Sequence, residues 1–385
     1  MTSSIRDRAS ATPEMIEAFD DASLLRAALA FEAALAEAQA AEGLIEPDQA
    51  AAISQACRRA NFDLEALAEA AAHAGTLAIP LVADLRGRVA QLDPLAAKRV
   101  HHASTSQDLA DTALMLQAKA GVALLERDLK ALSDSLAALA QTHAVTPMLG
   151  RTLLQPALPI TFGLKAANWL VGVDAAALRL SREAHDALAL QFGGATGTRM
   201  GLQGKGAAVA RRMAQALGLA DPALPWQARR DGLAGLGAAL AILTGTLGKI
   251  ARDIALMAQA EVGEAFEPRI AGRGGSSAMA HKRNPTGCQV ALSAAARAPG
   301  LAAILMTTLP GEHERGLGGW QAEGPVLAEL FLLAHGALAA LLPVIAGLEV
   351  DAAAMARNLK ASGVGDDPGE AEALVSAALA ARISD

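Results

Sequence analysis

Tyrosine is absent from this chain, and seven Phe and three Trp bring the aromatics to only 3% of 385 residues. A β-sandwich core would need aromatic and β-branched side chains, so the shortage argues against one. It favours closely packed helices built on Ala, Leu and Val. There are only two cysteines, Cys57 and Cys288, with no CxxC, which excludes a thiolate-rich metal site and points to a reduced, cytoplasmic protein. Positive charge is also scarce: the net charge is −7, which argues against nucleic acid or an anionic membrane as a partner. An anionic substrate would therefore need a locally cationic site. The opening MTSSIRDRASATPEMIEAF has no apolar core, so no secretory signal is expected.

What is present is apolar and periodic. Hydrophobic residues make up 52% of the chain, ample for a core. Leu125, Leu129, Leu132, Leu136 and Leu139 step by four and three along one helical face. Helices are predicted over 14–42, 46–72, 156–190, 233–262, 286–308 and 321–347, with a long one beginning near Thr105. No alternating strand pattern of useful length is expected. The segment VLAELFLLAHGALAALLPVIAGL, 326–348, is long enough to span a bilayer. It carries Glu329, His335 and Pro343 and lacks a basic flank, so it reads as a helix buried inside a bundle. Such long helices commonly bury their faces by oligomerising. The glycine-rich FGGATGTRMGLQGKG, 192–206, does not fit the phosphate-loop spacing. The expected organisation is an N-terminal helical domain over 1–100, a central long-helix domain over 101–350 and a short C-terminal helical segment over 351–385.

Four polar stretches interrupt the helices. In HHASTSQD, 101–108, Thr105 and Asp108 fit a capping box that starts a helix at Ser106. A helix N-terminus of that kind suits a carboxylate, although an ordinary cap with two spare histidines would look the same. GRTLLQPALPITFG, 150–163, frames Arg151, Thr152 and Gln155, and by itself reads as a helix start. GGSSAMAHKRNP, 274–285, ends in Asn284-Pro285, an N-cap and N1 pair. Lys282, Arg283 and the new helix dipole would place positive potential beside Ser276 and Ser277, the field that makes a serine alkoxide accessible. GEHERGLGGWQAEG, 311–324, holds Arg315, which is a carboxylate fork if buried and a solvated turn if exposed.

Together these stretches resemble the fumarase/aspartase superfamily. GGSSAMAHKRNP is similar to its signature loop GSSxMPxKxNP, departing at Ala280, where proline is usual. HHASTSQDLADT is similar to its first conserved region, with Ala103-Ser104 in place of Gly-Ala. AIPLV (78–82), LLQPALPITFGLK, QFGGATGT and EHERGLGGWQAE look most like the bacterial branch that lactonises 3-carboxy-cis,cis-muconate. The resemblance implies an all-α, long-helix bundle that assembles as a homotetramer, with each site drawn from three chains. It implies a small tricarboxylate substrate and no metal or organic cofactor. Ser276 would be the catalytic base on a lid, and His101, Thr105, Ser106, Arg151, Thr152, Gln155, Ser277, Lys282, Asn284 and Arg315 would bind substrate.

Many relatives place a general-acid histidine in GRTH, where this chain has Leu153. Water or an amine leaves poorly without a proton, whereas a carboxylate, the anion of an acid with pKa near about 4, departs unaided. Lactone opening, the reverse of cycloisomerisation, expels a carboxylate. The alternatives are a fumarate-releasing lyase such as adenylosuccinate lyase, and a non-catalytic relative of the crystallin kind. Against the first, Gly324 stands where such lyases carry a phosphate-binding arginine. The short segment after residue 350 leaves little chain to cover the site entrance.

Overall fold

In the computed structural model, residues 5–59, 61–275, 279 and 282–383 are described. The chain opens with α1 (Ile5–Arg8), α2 (Pro13–Ala18), α3 (Asp21–Ala41), α4 (Pro47–Arg59), α5 (Leu64–Ala74), α6 (Ala78–Leu92) and α7 (Pro94–Ala97). Caps divide what the apolar pattern alone would run together. Asp20 accepts the Ser23 N–H at 2.7 Å and starts α3 anew after α2. Asp63 accepts the Glu65 and Ala66 N–H groups and separates α5 from α4.

The body follows: α8 (Ser106–Thr142), α9 (Phe162–Ala187), α10 (Gly206–Leu217), α11 (Asp231–Met257), α12 (Thr286–Thr307) and α13 (Gly319–Ala346), then α14 (Ala352–Ser362) and α15 (Ala371–Ile383). α8 has 37 residues, about 55 Å at 1.5 Å per residue. Its Leu125, Leu129, Leu132 and Leu136 are buried as the stripe requires, against α9 and α13. α8, α9, α11, α12 and α13 share one core. A second core joins α3, α4 and α6 to the first turns of α8 and to α10, which returns from far along the chain.

The 326–348 segment lies mostly within α13, inside the bundle, where His335 Nδ1 meets Thr12 Oγ1 at 2.7 Å and Nε2 meets Asp128 Oδ2 at 2.9 Å. α11, α12 and α13 are each long and apolar enough to cross a membrane by length and composition. α11 and α13 spend most of that surface on the bundle, whereas only 28% of the apolar window of α12 is buried.

The expectation of no strands, and of helix from residue 156, is corrected. β1 (Pro147–Thr152) and β2 (Gln155–Thr161) form an antiparallel hairpin, and α9 starts only at Phe162. Pro156 and Pro159 keep β2 from being helix interior, and Thr161 caps α9 by accepting the Leu164 N–H at 3.1 Å. A small second ladder pairs β3 (Ala265–Phe266) with β4 (Glu349–Val350). α14 packs on β1 and α15 on α9.

Candidate active site

At one end of the bundle, Thr105 is the N-cap of α8 and Ser106 its first residue. The Asp108 half of the capping box is formed: its carboxylate accepts the Thr105 N–H at 3.1 Å. The Thr105 side chain makes no cap hydrogen bond to the helix, and its hydroxyl accepts from Arg315 Nη2 at 2.7 Å. Arg315 also donates to Ala195 O at 3.2 Å, and its buried Nε has no hydrogen-bond partner. A guanidinium nitrogen kept from water without a partner is a donor held ready for an anion. His101 sits in the preceding turn at φ 60, its Nδ1 2.5 Å from Glu32 Oε1.

Asp108 does more than cap. It is buried and accepts from Gln191 Nε2 at 2.9 Å and from the Gly193 and Gly194 amides at 2.9 and 2.8 Å. Burial pushes its carboxyl up to about 6 against the pull of those N–H groups. The contact pins the glycine-rich connection to the start of α8. At Gly193 a side chain would crowd the loop, since a Cβ would lie 2.8 Å from Pro225 Cβ and 2.9 Å from the Gly197 Cα. A buried triad anchors the Arg315 loop: Arg230 bridges Asp111 and Glu323, and Trp320 Nε1 donates to Asp111 Oδ1 at 3.0 Å. Sequence reasoning had not singled out Asp111, Arg230 or Glu32. For Asp111 and Glu32 the signal is an acid set on an otherwise apolar helical face, whereas Arg230 precedes α11 in a polar stretch that gives no such signal.

The other predicted residues lie at the opposite end. Arg151 Nη1 and Nη2 each donate to the buried Glu264 carboxylate at 2.8 Å, and Asn358 Nδ2 shares that carboxylate at 2.8 Å. Thr152 and Gln155 are partners at the exposed hairpin tip. Between them Leu153 and Leu154 adopt φ 53 and 64, a strained conformation for leucine.

Lys282 is exposed. Asn284 is not the N-cap expected of it. α12 begins at Thr286, Pro285 holds the cap position without a side-chain bond, and Glu267 accepts the Gly287 and Cys288 N–H groups at 3.0 and 2.8 Å instead. Asn284 turns back on the loop, receiving a bond from no helix amide but donating to Gly275 O at 3.2 Å. Ser276 and Ser277 lie outside the described residues. Arg283 binds Glu349 at 2.9 Å, so among the described residues 282–284 Lys282 is the cation left facing solvent. Among the described residues no group of three His, Cys, Asp or Glu side chains is arranged to hold a metal ion.

Two clusters therefore stand apart. His101, Thr105, Ser106 and Arg315 gather at the start of α8. Arg151, Thr152 and Gln155 follow its far end, and Lys282 and Asn284 precede α12, whose other end leads to Arg315.

A family model described as Lyase matches residues 7–300. The chain is 51% identical over 348 residues to the 3-carboxy-cis,cis-muconate cycloisomerase of Bradyrhizobium diazoefficiens, covering 90% of this chain and 77% of that one. It is 43% identical over 354 residues to the nitrosuccinate lyase of Streptomyces davaonensis, covering 90% and 74%. The crystal structure of the 3-carboxy-cis,cis-muconate lactonizing enzyme from Pseudomonas putida superposes with a TM-score of 0.88 at 41% identity, covering 99% of this chain and 88% of that one. A long-helix bundle whose sequence carries the HHASTSQD, GRTL and GGSSAMAHKRNP stretches, matched over this much of its length, belongs to the lyase family of the fumarase/aspartase superfamily.

Proposed function

We propose that the chain is a cycloisomerase that converts 3-carboxy-cis,cis-muconate to 4-carboxymuconolactone in the cytoplasm. Leu153 carries the choice within the family. It stands at the hairpin tip, 96% exposed, where a general-acid histidine would have to sit, and it has no proton to give. A reaction whose leaving group departs as an anion needs none there. In the lactonising direction one substrate carboxylate oxygen adds to the conjugated alkene, and the π pair moves into a second carboxylate as an aci-carboxylate dianion. The Ser276 hydroxyl then delivers its proton to the α-carbon, and solvent reprotonates the alkoxide. Arg315 and Lys282 supply the positive charge that the dianion requires, and His101 holds a carboxylate of the substrate. The sequence is redox-neutral and uses only these side chains.

Leu153 equally suits expulsion of nitrite from nitrosuccinate, because nitrite too leaves as an anion. A nucleotide-bearing succinyl substrate fits less well. Gly324 opens onto a cavity of about 460 Å³ whose described lining includes Asp21, Asp111 and Glu323 and no Lys or Arg, a poor setting for phosphate. The deciding experiment offers carboxymuconate and nitrosuccinate separately to the purified protein, following loss of muconate absorbance and release of nitrite. Turnover of carboxymuconate at a far higher kcat/KM is expected; the reverse preference would replace this reading. Ser276→Ala should lower carboxymuconate turnover by about 10² to 10⁴ with the fold intact, and a variant within a few-fold of wild type would remove Ser276 from the mechanism.

The working unit is proposed to be a homotetramer. α8 alone separates its N-terminal cluster from the 147–161 hairpin by about 55 Å. No small tricarboxylate bridges that length, so neighbouring copies must bring the two kinds of cluster together.

A further inference from the structure

Glu32 is a carboxylate on an apolar face. Its α3 neighbours Ala28, Phe31 and Leu35 are core residues, and its own side chain is fully buried. One oxygen, Oε1, lies 2.5 Å from His101 Nδ1, and the other, Oε2, is buried with no hydrogen-bond partner. An ionised carboxylate so placed is costly unless a cation stands beside it. Cys57 on α4 is a titratable neighbour of Glu32, and Arg99, His102, Asp108 and Arg315 belong to the turn and the elements that meet at it. None of these hydrogen-bonds Glu32. The Cys57 thiol is pushed up to about 12, by burial first and then by Glu32, so it remains a neutral neighbour. Asp108 is held by the 193–194 amides and Arg315 by Thr105.

The same helix face braces the turn that carries His101. Gln39, two helical turns beyond Glu32 on α3, donates to His102 O at 2.8 Å, and His101 and Ala103 are both held at positive φ, 60 and 58. Non-glycine residues keep that conformation only where the surroundings enforce it. With Nδ1 committed to Glu32, the ring presents Nε2, which nothing among the described residues hydrogen-bonds. It does so in the turn immediately before Thr105, where Arg315 arrives.

We propose that Glu32 is a positioning residue that acts through His101. It fixes the imidazole with Nδ1–H toward the core and supplies the counter-charge under which Nε2–H meets a carboxylate of the substrate. The inference rests on the cycloisomerase reading for the tricarboxylate it recognises. A carboxylate that orients a histidine from the side away from the reacting groups does so without touching them, as in metal and triad sites. Glu32 should therefore govern how well the anion is held and leave the proton transfer to carbon alone.

The test is a double-mutant cycle on the full chain with Glu32→Gln, His101→Asn and the double variant. Asn is the replacement best tolerated at the positive φ of residue 101. Two quantities are read: KM and kcat on carboxymuconate, and the Kd for propane-1,2,3-tricarboxylate by calorimetry. Each single change is expected to raise KM and Kd about tenfold or more, as loss of a charge-assisted bond does, with kcat within about threefold of wild type. The double variant is expected to be no worse than His101→Asn alone, since the two residues act as one unit. Multiplying effects, or Glu32→Gln within about twofold of wild type in KM and Kd, overturn the inference and leave the cycloisomerase reading standing. If Glu32→Gln does not fold, Glu32→Asp, which withdraws the same charge by one methylene, takes its place in the cycle with the same expectation. A wild type that binds the tricarboxylate but does not turn over carboxymuconate overturns the functional reading alone. One that does neither overturns both.

Discussion

Leu153 is the residue at which chemistry and backbone can be separated by one substitution. Histidine is better tolerated than leucine at φ 53, so Leu153→His should fold at least as well. With a carboxylate as the group expelled in the reverse reaction, the new ring has no proton to deliver, and cycloisomerisation should stay level or slow. If the chain were instead a succinyl lyase impaired by loss of its acid, fumarate release should rise by about 10² or more. Both rates on one purified variant decide the matter, and rescued fumarate release from a parent without cycloisomerase activity would reverse the assignment. His335 makes a different residue-level prediction, on stability. Burial holds its imidazole below the ordinary value despite Asp128 at 2.9 Å. The unfolded chain, with a value near about 6.5, then binds more protons as the pH drops, so this group's contribution is present above about 6.5 and is lost on acidification. Asp108 runs the other way, since a carboxyl raised to about 6 favours the folded state toward lower pH. Denaturant midpoints of wild type and His335→Gln at pH 7.5 and 5.5 isolate the histidine. The variant should lose less on acidification, and equal losses would remove His335 from the acid response.

Elements in this chain meet at glycines, and two of these give opposite expectations. On α13, a Cβ at Gly336 would lie 1.9 Å from Ser10 O and 2.5 Å from Ser10 C. Both atoms are backbone and cannot rotate away, so Gly336→Ala must part α13 from the segment whose Thr12 binds His335, at about 1–3 kcal/mol. On α6, a Cβ at Gly87 meets nothing within 4 Å, and Gly87→Ala should stabilise by about 0.5–1 kcal/mol. Chemical denaturation of the two variants side by side checks the pair, and a neutral Gly336→Ala would show that the crossing is loose. The helices themselves were legible because their signal is local: the Leu125–Leu136 stripe is periodic and ends up buried. The hairpin was not. Its turn carries Leu153-Leu154 where left-handed conformations normally ask for Asn or Gly, and its strands are masked by prolines and a register shift between Leu149 and Arg151. The candidate site divides along the same line. Thr105 and Arg315 could be read from polar stretches, and the structure joins them. The helix α12 cap could not, because its true partner Glu267 comes from outside the helix start that Asn284-Pro285 seemed to define. Glu32 and Glu264 are single acids whose importance appears only when a distant His101 or Arg151 arrives beside them.

For the whole molecule, the surface left by one chain is as informative as its core. α12 buries only 28% of its apolar window, Ile304 and Met306 are exposed along it, and Leu153, Leu154 and Leu158 are exposed on the hairpin. Apolar surface of this extent near the candidate clusters is what subunit contacts would cover. If each site combines the Thr105 end of one copy with the 274–285 loop of another, inactivation at the two ends should complement. Thr105→Val disables the first end and Ser276→Ala the second, and each variant alone should be inactive. Mixed by co-refolding, the two chains should recover a fraction of wild-type activity, because some sites then receive both intact ends while others receive neither. Activity should also fall on dilution below the assembly constant, since an isolated chain holds its clusters at opposite ends of the bundle. Two outcomes oppose this. Mixtures that stay as inactive as their parents place both residues in a site served by one chain. Light scattering that finds a fully active monomer at assay concentration rules out the shared site altogether.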